Sequence, residues 1–219
     1  MRIRSKWCNS LLLLAAFMIL CGGLYPLLVT VMANAFFRYR AEGSLLRVKW
    51  RVVGSALLSQ PFGAPGYFRA RPSACGYSAI PAAASNLAPT SAALRDSIVH
   101  RRLRFLKENG LGTDTVVPIE MLCASGSGLD PHISPRAAHL QAGRVAEERR
   151  MSAVQRRKLD ELIGALTEPR QFGLLGEPRI NVVRLNFMLD EMPEFRMFNR
   201  VVKSPFSAIE EIATSSMGF

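Results

Sequence analysis

From Leu11 to Phe37 the chain carries no charged residue. As a helix, those residues would run roughly 40 Å, more than the ~30 Å hydrocarbon core of a bilayer. Arg2, Arg4 and Lys6 precede the stretch, and Arg38 and Arg40 follow it. The pattern predicts one transmembrane helix over 11–37. Pro26 and the pair Gly22-Gly23 lie inside it. Such residues suit a helix packed on other membrane helices, or simply one that kinks. A cleavable signal is the rival reading, since Ala33-Asn34-Ala35 has the small-x-small form of a cleavage site. The apolar run is longer than the usual 7–15 or so residues of a signal core. Leu20 before Cys21 argues against a lipidation signal.

Beyond the span, Leu46, Val48, Trp50 and Val52 alternate with Arg47, Lys49 and Arg51, the period of a half-buried strand. Residues 60–90 are rich in Pro, Gly, Ala and Ser and predict a long irregular connection. Its aromatics Phe62, Tyr67, Phe68 and Tyr77 predict that it packs on the rest of the domain. Ser91 opens a helix to Lys107, with Leu94, Ile98, Leu103 and Leu106 inward and Asn109-Gly110 as its stop. Val116 to Cys123 is expected to be a strand broken early by Pro118. Ser134-Pro135 starts a helix through Arg149. Ser152 and Gln155 form a capping box for the next helix, with Leu159, Leu162, Ile163 and Leu166 inward. Ile180 to Leu189 is expected to be a last strand, with Val183, Leu185, Phe187 and Leu189 on one face. The order predicts a mixed α/β (α+β) domain behind a single N-terminal transmembrane helix.

Composition sharpens this in two ways. The chain of 219 residues has 28 basic and 17 acidic side chains, a net charge of +11. Three of the positive charges precede the span, residues 38–192 carry +8, and residues 193–219 are neutral. Basic residues flank the span on both sides, so the charge rule leaves its orientation open. The basic run Arg149, Arg150, Arg156, Arg157, Lys158 has no interleaved aromatics and no nucleic-acid motif, so it predicts a solvated face, or one near anionic lipid or an acidic partner. The residues divide into a basic N-terminus (1–10), the span (11–37), the domain (38–192) and a C-terminal tail (193–219).

The densest glycine-polar element runs from Ala124 to Pro135 between a predicted strand and a helix. Such a loop can offer backbone N–H groups to an anion, and Ser125, Gly126, Ser127, Gly128 and Asp130 are its candidate binding residues. The plainer use of these residues is a tight connection in which Asp130 and Ser134 satisfy backbone donors. No Gly-Lys-Ser/Thr follows, which excludes a Walker A loop, and Ser125 stands where a nucleophile elbow needs glycine. His100, His132 and His139 are too scattered for a metal site. Cys75 and Cys123 could bridge in an oxidising compartment, but free thiols are the expectation. No catalytic centre stands out, which points to an anchored accessory domain. The alternative is a signal-anchored envelope serine hydrolase using Ser125 or Ser127.

Ordered blocks along the chain resemble the C subunit of the bacterial Kdp potassium-transporting P-type ATPase. They include Gly23-Leu24-Tyr25-Pro26-Leu27-Leu28, Glu42-Gly43-Ser44-Leu45, and Val53 to Gln60. Tyr67-Phe68-Arg69-Ala70-Arg71-Pro72-Ser73-Ala74, Ser85-Asn86-Leu87-Ala88-Pro89 and Val117-Pro118-Ile119-Glu120 follow. The set closes with Ala124 to Pro135, Gln141, Arg144-Val145-Ala146, Arg149, Gly176 to Val182 and Leu185 to Asp190. Together they span about residues 10–191. The sequence departs from the family pattern at Arg40-Ala41-Glu42, at Ala82-Ala83-Ala84 where glycines are usual, and at Cys123 where threonine is common.

The resemblance implies a bacterial inner-membrane protein that crosses once, with a cytoplasmic N-terminus and an extracytoplasmic domain. It implies a non-catalytic accessory subunit of a high-affinity ATP-driven potassium uptake pump that assembles or stabilises the complex and promotes ATP use. Its implied partners are a potassium-channel-like subunit, an ATP-hydrolysing P-type subunit and membrane lipid, with no nucleic acid. It implies no tightly bound cofactor, with ATP as a possible ligand, and it adds Gln141 to the loop residues as a nucleotide- or partner-binding candidate.

Overall fold

The computed structural model describes residues 2–48 and 50–192. Lys49 in the first expected strand, and the C-terminal tail over 193–219, lie outside those residues. The chain divides between Leu45 and Leu46 into two compact units.

The first unit is the apolar helix. It runs as α1 (Arg2–Ile19), a π-helical turn (Leu20–Leu24) and α2 (Tyr25–Ala41). A helix long and apolar enough to cross a membrane extends over Lys6–Ala41. The π turn sits where the sequence placed Gly22-Gly23 ahead of Pro26. Pro26 has no N–H for the carbonyl of Gly22, and the Tyr25 N–H reaches back to the Leu20 carbonyl instead. The polar side chains in the apolar stretch are satisfied within the helix. The Thr30 hydroxyl donates to the Pro26 carbonyl at 2.7 Å, and the Asn34 amide to the Thr30 carbonyl at 2.9 Å. A lipid-embedded backbone requires that kind of internal pairing.

The second unit is the mixed domain. Strands β1 (Leu45–Val48) and β2 (Arg51–Ser55) pair with each other. The single strand expected over Leu46–Val52 is therefore two short ones with a turn between them. Trp50, which the alternation turned inward, is 95% exposed. No helix or strand occurs from Ala56 to Ser91, as composition predicted, and Phe62, Tyr67 and Phe68 of this connection are buried. Helix α3 (Ala92–Glu108) buries Phe105 and Leu106, whereas Leu103 faces solvent. Ser91 sits at its N-cap without a side-chain cap bond. The strand expected over Val116–Cys123 is instead a single 3-10 turn (Ile119–Met121) that begins straight after Pro118.

A three-stranded antiparallel sheet holds the centre, in the order β3 (His132–Ile133), β5 (Arg179–Asn181), β4 (Thr167–Glu168). Helix α4 (Pro135–Glu148) starts at Ser134, whose hydroxyl accepts from the Ala137 N–H. Helix α5 (Ala153–Leu166) starts with the complete Ser152–Gln155 capping box. These two helices, β5 and α6 (Val182–Glu191) enclose Ile133, Val145, Leu159, Ile163, Ile180, Leu185 and Leu189, all fully buried. Each such side chain contributes roughly 1.5–3 kcal/mol by leaving water.

The strand expected over Ile180–Leu189 is mostly α6. Only its first residues pair in the sheet, and Asn181 then caps the helix by accepting from the Arg184 N–H at 3.0 Å. Val182, Val183, Leu185, Asn186, Leu189 and Asp190 are buried, the spacing of a helix face. The alternating reading required Val182 and Asn186 outside, and both are fully buried, while Phe187 is half-buried against the core.

Candidate functional site

The glycine-polar loop is a connector bonded inward. The Ser125 N–H donates to the Pro72 carbonyl, the Gly128 N–H to the Ser125 carbonyl, and the Leu129 N–H to the Ser127 hydroxyl, all within 3.1–3.2 Å. Ser125 is buried, and Gly126 and Ser127 are exposed. Gly128 has a φ of +72°, and a Cβ there would lie 2.9 Å from the Ala83 carbonyl oxygen and also overlap the Cys75 sulfur. This is the close packing that requires glycine. The N–H groups of Ser125, Gly128 and Leu129 are thus already in use.

Asp130 ties the loop down. Its carboxylate accepts from Arg71 Nη1 at 3.0 Å and from the His132 N–H at 3.0 Å, and it lies 3.2 Å from His132 Nδ1. Partial burial pushes this carboxyl up, but the bonds from His132 and Arg71 outweigh burial and hold it at about 2. Among the described residues neither Ser125 nor Ser127 is hydrogen-bonded to a histidine. The geometry gives the hydrolase alternative no base. Among the described residues there is also no group of His, Cys, Asp and Glu able to hold a metal, and Cys75 and Cys123 are free.

Gln141 lies in α4 and is completely buried. Its amide closes both backbone groups of Arg69: Oε1 accepts from the Arg69 N–H at 2.8 Å, and Nε2 donates to the Arg69 carbonyl at 3.2 Å. Asn186 of α6 does the same for Phe68, at 2.9 and 2.8 Å. Two side-chain amides therefore stand in for the strand that this irregular segment lacks. Buried backbone polar groups need such partners. Arg144 adds bonds to the Tyr67 carbonyl at 3.0 Å, to Gln141 Oε1 at 3.1 Å and to the Pro65 carbonyl. Desolvation, with Arg69 nearby, lowers its guanidinium to about 10.

Arg149 completes the clamp. It pairs with Asp190 at 2.9 Å, with side chains only 1% and 8% exposed. It donates to the Gly66 carbonyl at 2.7 Å and lies 4.7 Å over the Tyr67 ring, whose hydroxyl donates to Asp190 at 2.8 Å. Sequence alone put Arg149 on a solvated face, or one near anionic lipid or an acidic partner. The structure buries it, while Arg150, Arg156, Arg157 and Lys158 are exposed.

The predicted residues therefore flank one segment. Asp130 holds Arg71, Gln141 holds Arg69, and the chain between them borders an open cleft of about 400 Å³. Three arginines, Arg69, Arg101 and Arg104, line it together with one carboxylate, Glu108, and the rings of Phe62 and Phe105. Arg104 Nε reaches Glu108 at 2.8 Å, and Arg69 Nη1 also contacts it. Burial disfavours the Glu108 anion, yet these bonds keep its carboxyl below the usual range. Arg101 donates to the Leu122 carbonyl at 2.8 Å. Arg69 Nε is buried without a partner among the described residues. The cleft has excess positive charge, so it suits an anion better than the glycine loop does. Sequence reasoning missed it because Arg69 and Arg101 are far apart in the chain. The arginines at 101 and 104, one helical turn apart, were the available signal.

Residues 7–191 match the family model described as KdpC, K+-transporting ATPase, c chain. The chain belongs to this family. It is 44% identical over 186 residues to a potassium-transporting ATPase KdpC subunit of Methylococcus capsulatus, covering 84% of this chain and 96% of the relative. The corresponding subunit of Geobacter sulfurreducens is 46% identical over 187 residues, with 84% and 96% covered. That of Mycobacterium tuberculosis is 42% identical over 192 residues, with 87% and 100% covered.

Proposed function

We propose that this chain is the non-catalytic accessory subunit of an ATP-driven potassium uptake pump in the bacterial inner membrane. The family match over residues 7–191 carries the reading. Its membrane-length helix anchors it, with the N-terminus cytoplasmic and the mixed domain on the extracytoplasmic side. Its partners are a potassium-channel-like subunit and an ATP-hydrolysing P-type subunit. The domain assembles or stabilises that complex and so promotes ATP use by the catalytic subunit. The inward-bonded loop and the clamp around Tyr67 support a rigid docking body over a reacting centre. Co-purification tests this: tagged full-length chain extracted in mild detergent should bring both other subunits with it. Recovery of the chain alone would overturn the reading.

Nucleotide binding is a second reading, favoured by the arginine excess in the cleft beside Gln141, and it requires ATP on the side of the membrane where the domain lies, against the topology given above. ATP phosphates would be held there by Arg101 and Arg104. Equilibrium ATP binding to the purified full-length chain, compared with R101Q/R104Q, decides it. Binding that the double substitution abolishes supports the cleft, and binding that it leaves unchanged removes it.

A further inference from the structure

Trp50 stands in the turn between β1 and β2, and Val52 just beyond it is 45% exposed. One uncovered ring is common on a soluble domain. This one lies in a basic stretch of chain that continues directly from a membrane-length helix. Arg47 and Arg51 are exposed, and no aspartate or glutamate occurs between Gly43 and Arg95. Glu42, the one acidic residue before that stretch, accepts from Arg38 at 2.8 Å. The foot of the hairpin meets the central sheet, where Asn181 donates to the Ala56 carbonyl at 2.7 Å. The carboxylates of that sheet are already engaged. Glu168 lies 3.0 Å from Arg179 and 3.9 Å from Arg184, and Glu177 lies 2.9 Å from Arg170. Among the described residues the Arg47 side chain has no ion pair.

The hairpin follows the helix without a linker. Gly43 and Ser44 have φ of +86° and +51°, and the Ser44 N–H donates to the Tyr39 carbonyl at 2.9 Å, which closes the helix end. Strand β1 begins at the next residue, Leu45. The uncharged stretch ends at Phe37, which puts Arg38, Tyr39 and Arg40 at headgroup level if the helix spans. The chain from Ser44 to Trp50 can extend no more than roughly 20 Å, so the headgroup layer is within reach of the ring by chain length alone. An indole settles at that layer, with its apolar body inward and its N–H in a polar setting, and arginine is drawn to anionic lipid. We propose that the β1–β2 hairpin makes a second membrane contact, with Trp50 in the headgroup layer and Arg47 and Arg51 on anionic phospholipid. This rests on the membrane anchor proposed above and not on which subunits accompany it. Such a contact raises the domain's effective concentration toward other proteins at that surface.

The test uses the full-length chain in vesicles of phosphatidylcholine, alone or mixed with phosphatidylglycerol, brominated near the top of the acyl chains. Trp7 and Trp50 are the two tryptophans, so W7F leaves Trp50 as the reporter and W50F leaves Trp7, near the other end of the helix. In W7F, Trp50 emission should fall about twofold in the mixed vesicles and less in phosphatidylcholine alone. Adding R47Q/R51Q, at two exposed positions, should abolish that difference while the melting profile is kept. Absent quenching of Trp50 where Trp7 is quenched overturns the hairpin contact and spares the anchor. Equal quenching in the two lipids, or a difference that survives R47Q/R51Q, overturns it as well. If neither tryptophan is quenched, the anchor itself falls and takes the contact with it. In the assembled pump, benzoylphenylalanine at position 50 should cross-link to lipid, and a cross-link to another subunit instead overturns the proposal.

Discussion

At residue scale the domain depends on a few buried polar side chains that serve backbone rather than ligand. Replacing Gln141 by leucine orphans the N–H and C=O of Arg69, and we expect a loss of about 2–4 kcal/mol. Thermal unfolding of the purified chain in detergent should show a melting temperature lower by several degrees. An unchanged melting temperature would mean that Gln141 is free for another role. Arg149→Met leaves Asp190 charged and buried, which costs about 3–5 kcal/mol. The double change R149M/D190L should recover part of that in the same assay. Asp130 sets an acid limit. Its folded pKa lies near 2, below the ordinary 3.8 of an aspartate, so its contribution is complete above about pH 4. That contribution disappears as pH falls through about 2. Asp130→Asn should flatten the stability–pH curve between those values, as followed by denaturant midpoints.

The elements show how local the readable information was. Ser134-Pro135 and the Ser152–Gln155 box fixed two helix starts to the residue, because a cap is a contact between neighbours three apart. Ser152→Ala should therefore cost about 1 kcal/mol, measurable as a shift in denaturant midpoint at constant slope. The segment after Ile180 was misread because a short apolar run satisfies both the strand and the helix period. Its fate was settled by Asn181, which pairs in the sheet through its backbone and caps α6 with its side chain. The strand expected around Val116 failed at Pro118, which cannot donate to a ladder. Gly128 was visible as part of a glycine-rich loop, but the reason for it was not. The atoms its Cβ would strike belong to residues 73–83.

For the whole molecule, the family match ends at residue 191, one residue before the described domain ends. A chain truncated after Met192 should assemble with its partners as the full chain does, as judged by co-purification yield. Loss of assembly would place a contact in the tail. The +8 on the domain is divided by the fold among different uses. Arg144 and Arg149 are buried as clamps, Arg71 is bound to Asp130, Arg69 and Arg104 meet over Glu108, and Arg150 to Lys158 face solvent.

The sequence by itself determined the membrane-length helix, the irregular middle that nonetheless packs, the helix caps and the family. Each of these is written in composition, in contacts a few residues apart, or in ordered blocks that need no coordinates. Only the tertiary structure decided that Gln141 and Asn186 replace a missing strand, that Arg149 is buried, that three arginines share one cleft, and that Trp50 is exposed. Phe68 and Asn186 are 118 residues apart and Tyr67 and Asp190 are 123 apart. No local pattern constrains such a pair. It forms because a buried amide or guanidinium must find partners, and the packing of α4 and α6 brings them within reach.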